Sequence, residues 1–545
     1  MEKPMVVGKY CCNNPIWFVI LSSFVFCLIL FLLDLSTLTT NFNFAFPNLL
    51  DHEKPKSLYS YTSPTTNITN NFPGSQSIPN QDHPIDHSDP VYRLKFTNNV
   101  TQNATTTTDQ NHSDSCSGRY IYVYDLPSQF NVDLVKKCHG LIKWIDMCPY
   151  LSNEGFGTKL EVDNNSKSVL MENGWFLTSQ FSLEVIFHNR MNKYRCLTND
   201  SSMASAIFVP YYAGLDVGQY LWNLSMSLRD RDSLPRKLVD FLGKTHEWKT
   251  MWGRDHFLIG GRIAWDFRRL IDDDKNGWGS KLMLLPESNN MTLLSIESSW
   301  WNNDFAIPYP TYFHPSKESE LLVWQERVRK RKRSYMFSFA GGPRPGSKDS
   351  IRGELINHCK SSAKLCKFMA CHPGSDNECE DPVKVMELFQ NSIFCLQPSG
   401  DSFTRRSTFD SILAGCIPVF FNPISAYTQY LWHLPKNYSS YSVFIPQSDV
   451  KEKRVLISER LLGVSEDEVL EKREKVIGLI PRIIYGDWSS SSTGKFEDAF
   501  DIAVKGLLGR VEKVRKKIKQ GEDPSEGFAE ENQSKFDLLW KKSSN

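Results

Sequence analysis

Residues 16–33 read IWFVILSSFVFCLILFLL, about 18 consecutive residues without a charge, and such a run is long enough to cross the hydrocarbon core of a bilayer. A cleaved signal peptide has a shorter apolar core and a small-residue cleavage site, and none follows before Asp34. Lys3 and Lys9 precede the run and the next basic residue is Lys54, so residues 1–15 are expected to be a cytosolic tail and everything after the anchor luminal. Two features beyond the run agree. Asn-x-Ser/Thr sequons begin at Asn67, Asn99, Asn103, Asn111, Asn164, Asn199, Asn223, Asn290, Asn437 and Asn532. Ten of the 13 cysteines lie from Cys116 onward, where an oxidising lumen favours pairing.

From 34 to 115 the chain turns to Asn, Thr, Ser and Pro, as in TSPTTNITNN, with too little apolar surface to offset the entropy of ordering; it is expected to be a disordered, glycosylated stem. Order is expected to resume with RYIYVYDLP at 119. Short apolar runs at 205–214, 256–259, 281–286 and 293–298 read as strands, and 180–189 and 234–242 as helices, giving an α/β domain over 116–325. The basic stretch ERVRKRKRS at 326–334 reads as a solvated helix face or linker. A second α/β domain over 326–545 follows. It has strands at 335–340, 393–400 and 416–421, and helices near 351–359, at 382–390 with Asp381 as N-cap, at 404–414, and at 466–477 behind a Ser465/Glu468 capping box. The 63 basic and 62 acidic residues are interspersed, which gives nucleic-acid binding no support.

The stretch FCLQPSGDSFTRRSTFDSILAGCIPVFF, residues 394–421, is the most informative. A strand ends at Pro398, the small turn Ser399-Gly400-Asp401 follows, and an amphipathic helix opens near Thr404. In an open α/β sheet the carboxyl end of a strand is where ligands bind, and a helix N-terminus there favours an anion such as a diphosphate. Arg405 and Arg406 are suited to phosphate oxygens, and Asp410 can accept from ribose hydroxyls. The i,i+4 spacing of Arg406 and Asp410 also fits a plain ion pair. Phe409, Ile412 and Leu413 read as core.

With YVYDLP, SAIFVPYY, WGRDHFLIGGRIAWDF, the FHP at 313–315, YMFSFAGGPRP and YLWHLP, this block resembles the exostosin-like inverting glycosyltransferases of family 47, and among them the plant xyloglucan galactosyltransferase group. The resemblance implies a GT-B fold, two Rossmann-like domains facing across a cleft, with a UDP-sugar in the C-terminal domain and the acceptor glycan in the N-terminal one. It implies a Golgi type II membrane enzyme that moves galactose from UDP-galactose to xylosyl side chains of xyloglucan during plant cell wall synthesis, in a possible complex with other Golgi glycosyltransferases. Transfer of galacturonic acid or arabinose to a wall polysaccharide is the alternative within the class; a non-catalytic glycan-binding subunit is the alternative outside it. No cofactor or metal is expected, because the two arginines and the helix terminus can hold the leaving diphosphate, and no convincing Asp-x-Asp triplet is present.

For the base that takes the acceptor proton, the resemblance directs attention to Asp255 and His256, with Asp266 and Asp304 as rivals. Trp265, Trp300 and Trp301 can stack on sugar rings, although tryptophans more often anchor a core. The cysteines and histidines at 358–379 match no standard zinc spacing, and Cys395 and Cys416, inside predicted strands, read as free buried thiols.

Overall fold

The structure, a computed structural model, describes residues 116–524 apart from 144, 165, 222–225, 275–276, 373–377 and 489–495. The tail, the anchor at 16–33, the stem, and the sequons Asn67, Asn99, Asn103, Asn111, Asn223 and Asn532 lie outside the described residues. Among the described residues no helix is long and apolar enough to cross a membrane.

Two five-stranded parallel sheets carry the described fold. The first is formed by β1 (Tyr120–Val123), β2 (Ala204–Phe208), β3 (His256–Ile263), β4 (Thr292–Glu297) and β5 (Asp304–Ala306), in that spatial order. The second is formed by β6 (Tyr335–Gly341), β7 (Cys366–Ala370), β8 (Ser392–Gln397), β9 (Ile417–Phe420) and β10 (Val443–Phe444), in the order β10-β9-β8-β6-β7. Strands such as TLLSIE and IPVF are buried along their whole length, as parallel strands covered on both faces must be. The principal helices are α1 (Leu183–Asn192), α2 (Ser233–Lys244), α3 (Glu318–Lys330), α4 (Arg352–Ser361), α5 (Pro382–Gln390), α6 (Arg406–Leu413), α7 (Glu466–Ile483) and α8 (Ala499–Gln520).

Most sequence-predicted elements are present. Asp381 caps α5 by accepting from the N–H groups of Val383 and Lys384, and Ser465 caps α7 by accepting from that of Glu468. The expected strand at 281–286 is instead a single 3-10 turn, Leu282–Leu284: both edges of β4 are already taken by β3 and β5, so no ladder position remains beside it. The boundary expected at 325/326 falls inside α3. That helix belongs with the second sheet, where Trp324 donates to the Leu413 carbonyl at 2.9 Å. Its exposed Arg329 pairs with Glu326 and Glu474, whereas Arg333 beyond it is half-buried and donates to the carbonyls of Phe389, Ser392 and Ala414.

The last helix crosses back. α8 packs on β2 of the first sheet, with Arg510 donating to Thr292 Oγ1 and Arg515 to the Ala204 carbonyl. The carboxyl ends of the two sheets meet. Glu297, the last residue of β4, accepts from both the backbone N–H and the hydroxyl of Thr404, at 2.7 and 2.6 Å, just ahead of α6. Gln429 accepts from the N–H and hydroxyl of Ser298 at 2.7 and 2.9 Å.

The ten described cysteines form five disulfides: Cys116–Cys196, Cys138–Cys148, Cys359–Cys366, Cys371–Cys379 and Cys395–Cys416. The reading of Cys395 and Cys416 as free thiols is therefore corrected. β8 and β9 are neighbours in register, which brings the two Cα atoms to 5.9 Å, within bridging range. Of the described sequons, Asn164, Asn199 and Asn437 are exposed, and Asn290 is half-buried with its Nδ2 donating to the Trp252 carbonyl at 3.0 Å.

Candidate active site

In the second sheet the chain runs from β6 outward to β7 and then returns to place β8 on the other side of β6. Between β6 and β8 the direction of winding reverses, and the crevice at the carboxyl ends of such a strand pair is where open α/β sheets bind ligands. Two loops border it, Gly341 to Arg344 after β6 and Ser399 to Arg405 after β8. Arg344 and Asp401 tie them together through a bidentate pair at 2.9 and 3.0 Å. Asp401 is 76% exposed at its side chain, so this clasp is a surface feature.

Beneath it lie two more arginines. Arg352, the first residue of α4, donates to the Ser399 carbonyl at 2.9 Å and reaches the Gly342 carbonyl at 3.4 Å. Arg405, the residue before α6, folds back over the turn, so close to Gly400 that a Cβ there would displace its guanidinium. Burial pushes Arg352 down to about 10, and the positive charges of Arg405 and Arg344 push in the same direction. Among the described residues one Arg405 nitrogen, Nη2, is buried without a hydrogen-bond partner. Three guanidiniums that repel one another, a buried donor left unused and the start of a helix make a site poised for an anion.

The sequence-predicted donor residues divide. Ser399, Gly400, Asp401 and Arg405 are brought together at this crevice. Arg406 and Asp410 are not part of it. Arg406 donates to the Thr178 carbonyl of the first half at 2.6 Å, lies 3.6 Å from the centroid of the Tyr312 ring, and faces Asp410 at 3.5 Å. Asp410 is buried beside it, and burial pushes its carboxyl up to about 6 despite that arginine. Asp410 and Arg406 face each other as an ion pair, and among the described residues Asp410 Oδ1 and Arg406 Nε and Nη2 are buried without a hydrogen-bond partner. Arg344 and Arg352 were missed by the sequence reading, although GGPRP after a strand and an arginine opening the next helix are both visible in the sequence.

Asp255 and His256 require a larger correction. They stand at the amino end of β3, whereas the site lies at the carboxyl ends. Both are buried: His256 Nδ1 is 2.8 Å from Asp255 Oδ1, its Nε2 is 3.0 Å from the Tyr124 hydroxyl, and Arg515 of α8 donates to Asp255 Oδ2 at 3.2 Å. They tie the returning helix to the first sheet. Asp304 is likewise structural, held by Arg268 through bonds of 2.9 and 2.6 Å.

At the carboxyl ends of β3 and β4, facing the second sheet, stand Asp266 and Glu297. Glu184 of α1 organises these loops by accepting from the N–H groups of Gly214, Leu215 and Gly261. Glu297 is committed to Thr404. One oxygen of Asp266 accepts from Trp278 Nε1 at 2.7 Å. Burial pushes Asp266 up to about 6, and the Glu297 charge adds to the rise while Arg262 and the Trp278 bond oppose it. The Tyr309 hydroxyl lies 3.0 Å from Thr404 Oγ1, and the charges of Glu297 and Asp266 push it up while that of Arg405 pushes it down, so these groups lie near one another. This arrangement can hold an anionic leaving group on one wall and remove a proton at the other.

Residues 115–461 match the model of the exostosin GT47 domain. The chain belongs to the exostosin GT47 family. It is 52% identical over 433 residues to the xyloglucan galactosyltransferase MUR3 of Arabidopsis thaliana, covering 79% of this chain and 68% of that protein. It is 46% identical to the probable xyloglucan galactosyltransferase GT12 of the same plant, covering 93% and 94%. The xyloglucan-specific galacturonosyltransferase 1 of A. thaliana is 43% identical, covering 73% and 58%. As a GT47 protein it is a glycosyltransferase, and both the crevice and the carboxylates Asp266 and Glu297 lie within the matched segment.

Proposed function

We propose that this GT47 chain transfers galactose from UDP-galactose to xylosyl side chains of xyloglucan, with inversion, in a GT-B arrangement whose second half holds the donor. The observation that carries the reading is the Arg344, Arg352 and Arg405 cluster at the winding reversal of the second sheet, with Thr404 beside it held by Glu297 of the first. The acceptor hydroxyl gives its proton to the free Asp266 oxygen, its oxygen attacks the anomeric carbon, and the bond to the diphosphate breaks. UDP departs with the electron pair and one added negative charge, which Arg352, Arg405 and the N–H groups opening α6 stabilise in place. Positive charge from the guanidiniums fills the role a divalent ion would play, so transfer is expected without metal.

The two xyloglucan galactosyltransferase relatives support galactose as the donor sugar, and the galacturonosyltransferase relative makes UDP-galacturonic acid the second reading. We further infer a Golgi setting, with the run at 16–33 as a single type II anchor and the body in the lumen; five disulfides favour an oxidising compartment. Incubating the full-length chain with galactose-free xyloglucan oligosaccharides and each UDP-sugar in turn, with EDTA present, tests all of this but the location. UDP release with one added hexose mass from UDP-galactose is expected. Transfer from UDP-galacturonic acid alone replaces the donor, and no transfer to this acceptor from any UDP-sugar overturns the reading.

A further inference from the structure

Tryptophan is seldom left in water, and when several exposed indoles gather they mark a surface that something apolar covers. Around Asp266 three do gather. Trp300, just past β4, is 45% exposed and meets the half-buried Trp265 edge to face, ring centroids 4.1 Å apart and planes at 65°. Trp265 adjoins Asp266 in the chain, and Trp278, 40% exposed, donates its indole N–H to the Asp266 carboxylate. The patch continues through exposed Ile271, whose carbonyl lies so close to Gly277 that a Cβ there would sit at 2.8 Å from it.

The position of these indoles excludes a generic role. They stand on the first half, at the carboxyl ends of β3 and β4, beside the carboxylate that faces the guanidinium wall. The charges at their border are mixed: Asp272, Asp273 and Asp274 follow Ile271 in the chain, and Asp272 is paired with Lys281 and with Arg269. The arginines beneath are consumed inside, Arg268 by Asp304 and Arg269 by Asp232, both pairs buried. A β-linked glucan offers what the patch can use: flat ring faces of C–H groups for the indoles and equatorial hydroxyls for the polar groups at the rim.

We propose that Trp265, Trp278 and Trp300 form a stacking platform for the neutral β-glucan backbone of the acceptor, placing its side-chain hydroxyl at Asp266. The proposal rests on the acceptor reading above and adds the surface that recognises the backbone. It also gives Trp278 two duties, since the same indole that lies on the platform orients the carboxylate.

The test is binding without donor, so that it is separable from transfer. Full-length chain in detergent is titrated with galactose-free xyloglucan oligosaccharide, cello-oligosaccharide and oligogalacturonate. Trp300→Ala is expected to weaken both neutral glucans roughly tenfold, the loss of one stacking face. Trp300→Tyr should recover most of that, and the affinity for UDP should not change. Trp252→Ala is the control, because Trp252 is 63% exposed but sits ahead of the amino end of β3. Unchanged glucan affinity in Trp300→Ala, an equal loss in Trp252→Ala, or preference for oligogalacturonate overturns the platform. Should the wild type bind glucan through Trp300 yet transfer no galactose, the platform stands and the donor reading falls.

Discussion

Arg405 and Arg406 are adjacent in the chain and opposite in consequence. Arg405 adds one more positive charge to two that it already repels, so Arg405→Ala is expected to leave the melting temperature unchanged or slightly raised. It should cost UDP binding about 1.5–3 kcal/mol, a loss of about tenfold or more by calorimetry. Arg406→Ala strands the buried Asp410 carboxyl and opens the contact with Thr178 and Tyr312; a fall of about 3 kcal/mol in denaturant stability is expected, with UDP affinity nearly kept in the folded fraction. With Asp266 as the proposed base, the pH dependence follows from its carboxyl. Its carboxyl sits near 6 and must be ionised to accept the proton, so kcat/KM should fall about tenfold for each pH unit below that value and level off above it. Asp266→Asn should remove the limb together with the activity while UDP still binds; an acid limb that persists in residual Asp266→Asn activity would assign it to another group. The tandem arginines and RIAWDF were readable as candidates, but adjacent side chains at a helix start point in different directions, and only packing shows which of them meets a ligand.

The strand-turn-helix from β8 to β9 borders the proposed donor crevice, and Cys395–Cys416 closes it into one loop across two neighbouring strands. A link of this loop size restricts the unfolded chain by roughly 3 kcal/mol in the entropy model. Cys395→Ser combined with Cys416→Ser is expected to lower the melting temperature and to weaken UDP binding, because Ser399 to Arg405 lie inside the loop. Equal UDP affinity in the double variant would show that the turn is held by Arg344–Asp401 and Arg352 alone. Here the sequence reading placed both strands, the turn and the helix to within three residues, since period, Pro398 and the apolar runs are local signals. It misread the cysteines because a disulfide depends on which strands lie side by side.

Across the whole molecule, α8 crosses from the second half to pack on the first sheet, and Asp255 with His256 receives it. Removing the charge with Asp255→Asn, or the partner with Arg515→Ala, is expected to lower stability by about 2 kcal/mol, since Arg515 is partly exposed and its pairing is screened. Transfer per folded molecule should stay within about twofold for either variant, as the network lies at the opposite end of β3 from the crevice. A loss of kcat by several orders of magnitude in a folded Asp255→Asn protein would restore Asp255 and His256 as catalytic groups.

The sequence by itself determined the two successive α/β units, the strand-turn-helix at 394–421 and the family, because apolar periodicity, turn residues and long identical motifs are written along the chain. Only the tertiary structure decided which end of each strand faces the crevice. That single fact moved the proposed base from Asp255 and His256 to the aspartate of AWDF, one strand length away. The physical reason is that a parallel strand has two ends alike in composition, and the choice between them is made by where the neighbouring sheet closes against it, at Glu297 and Thr404.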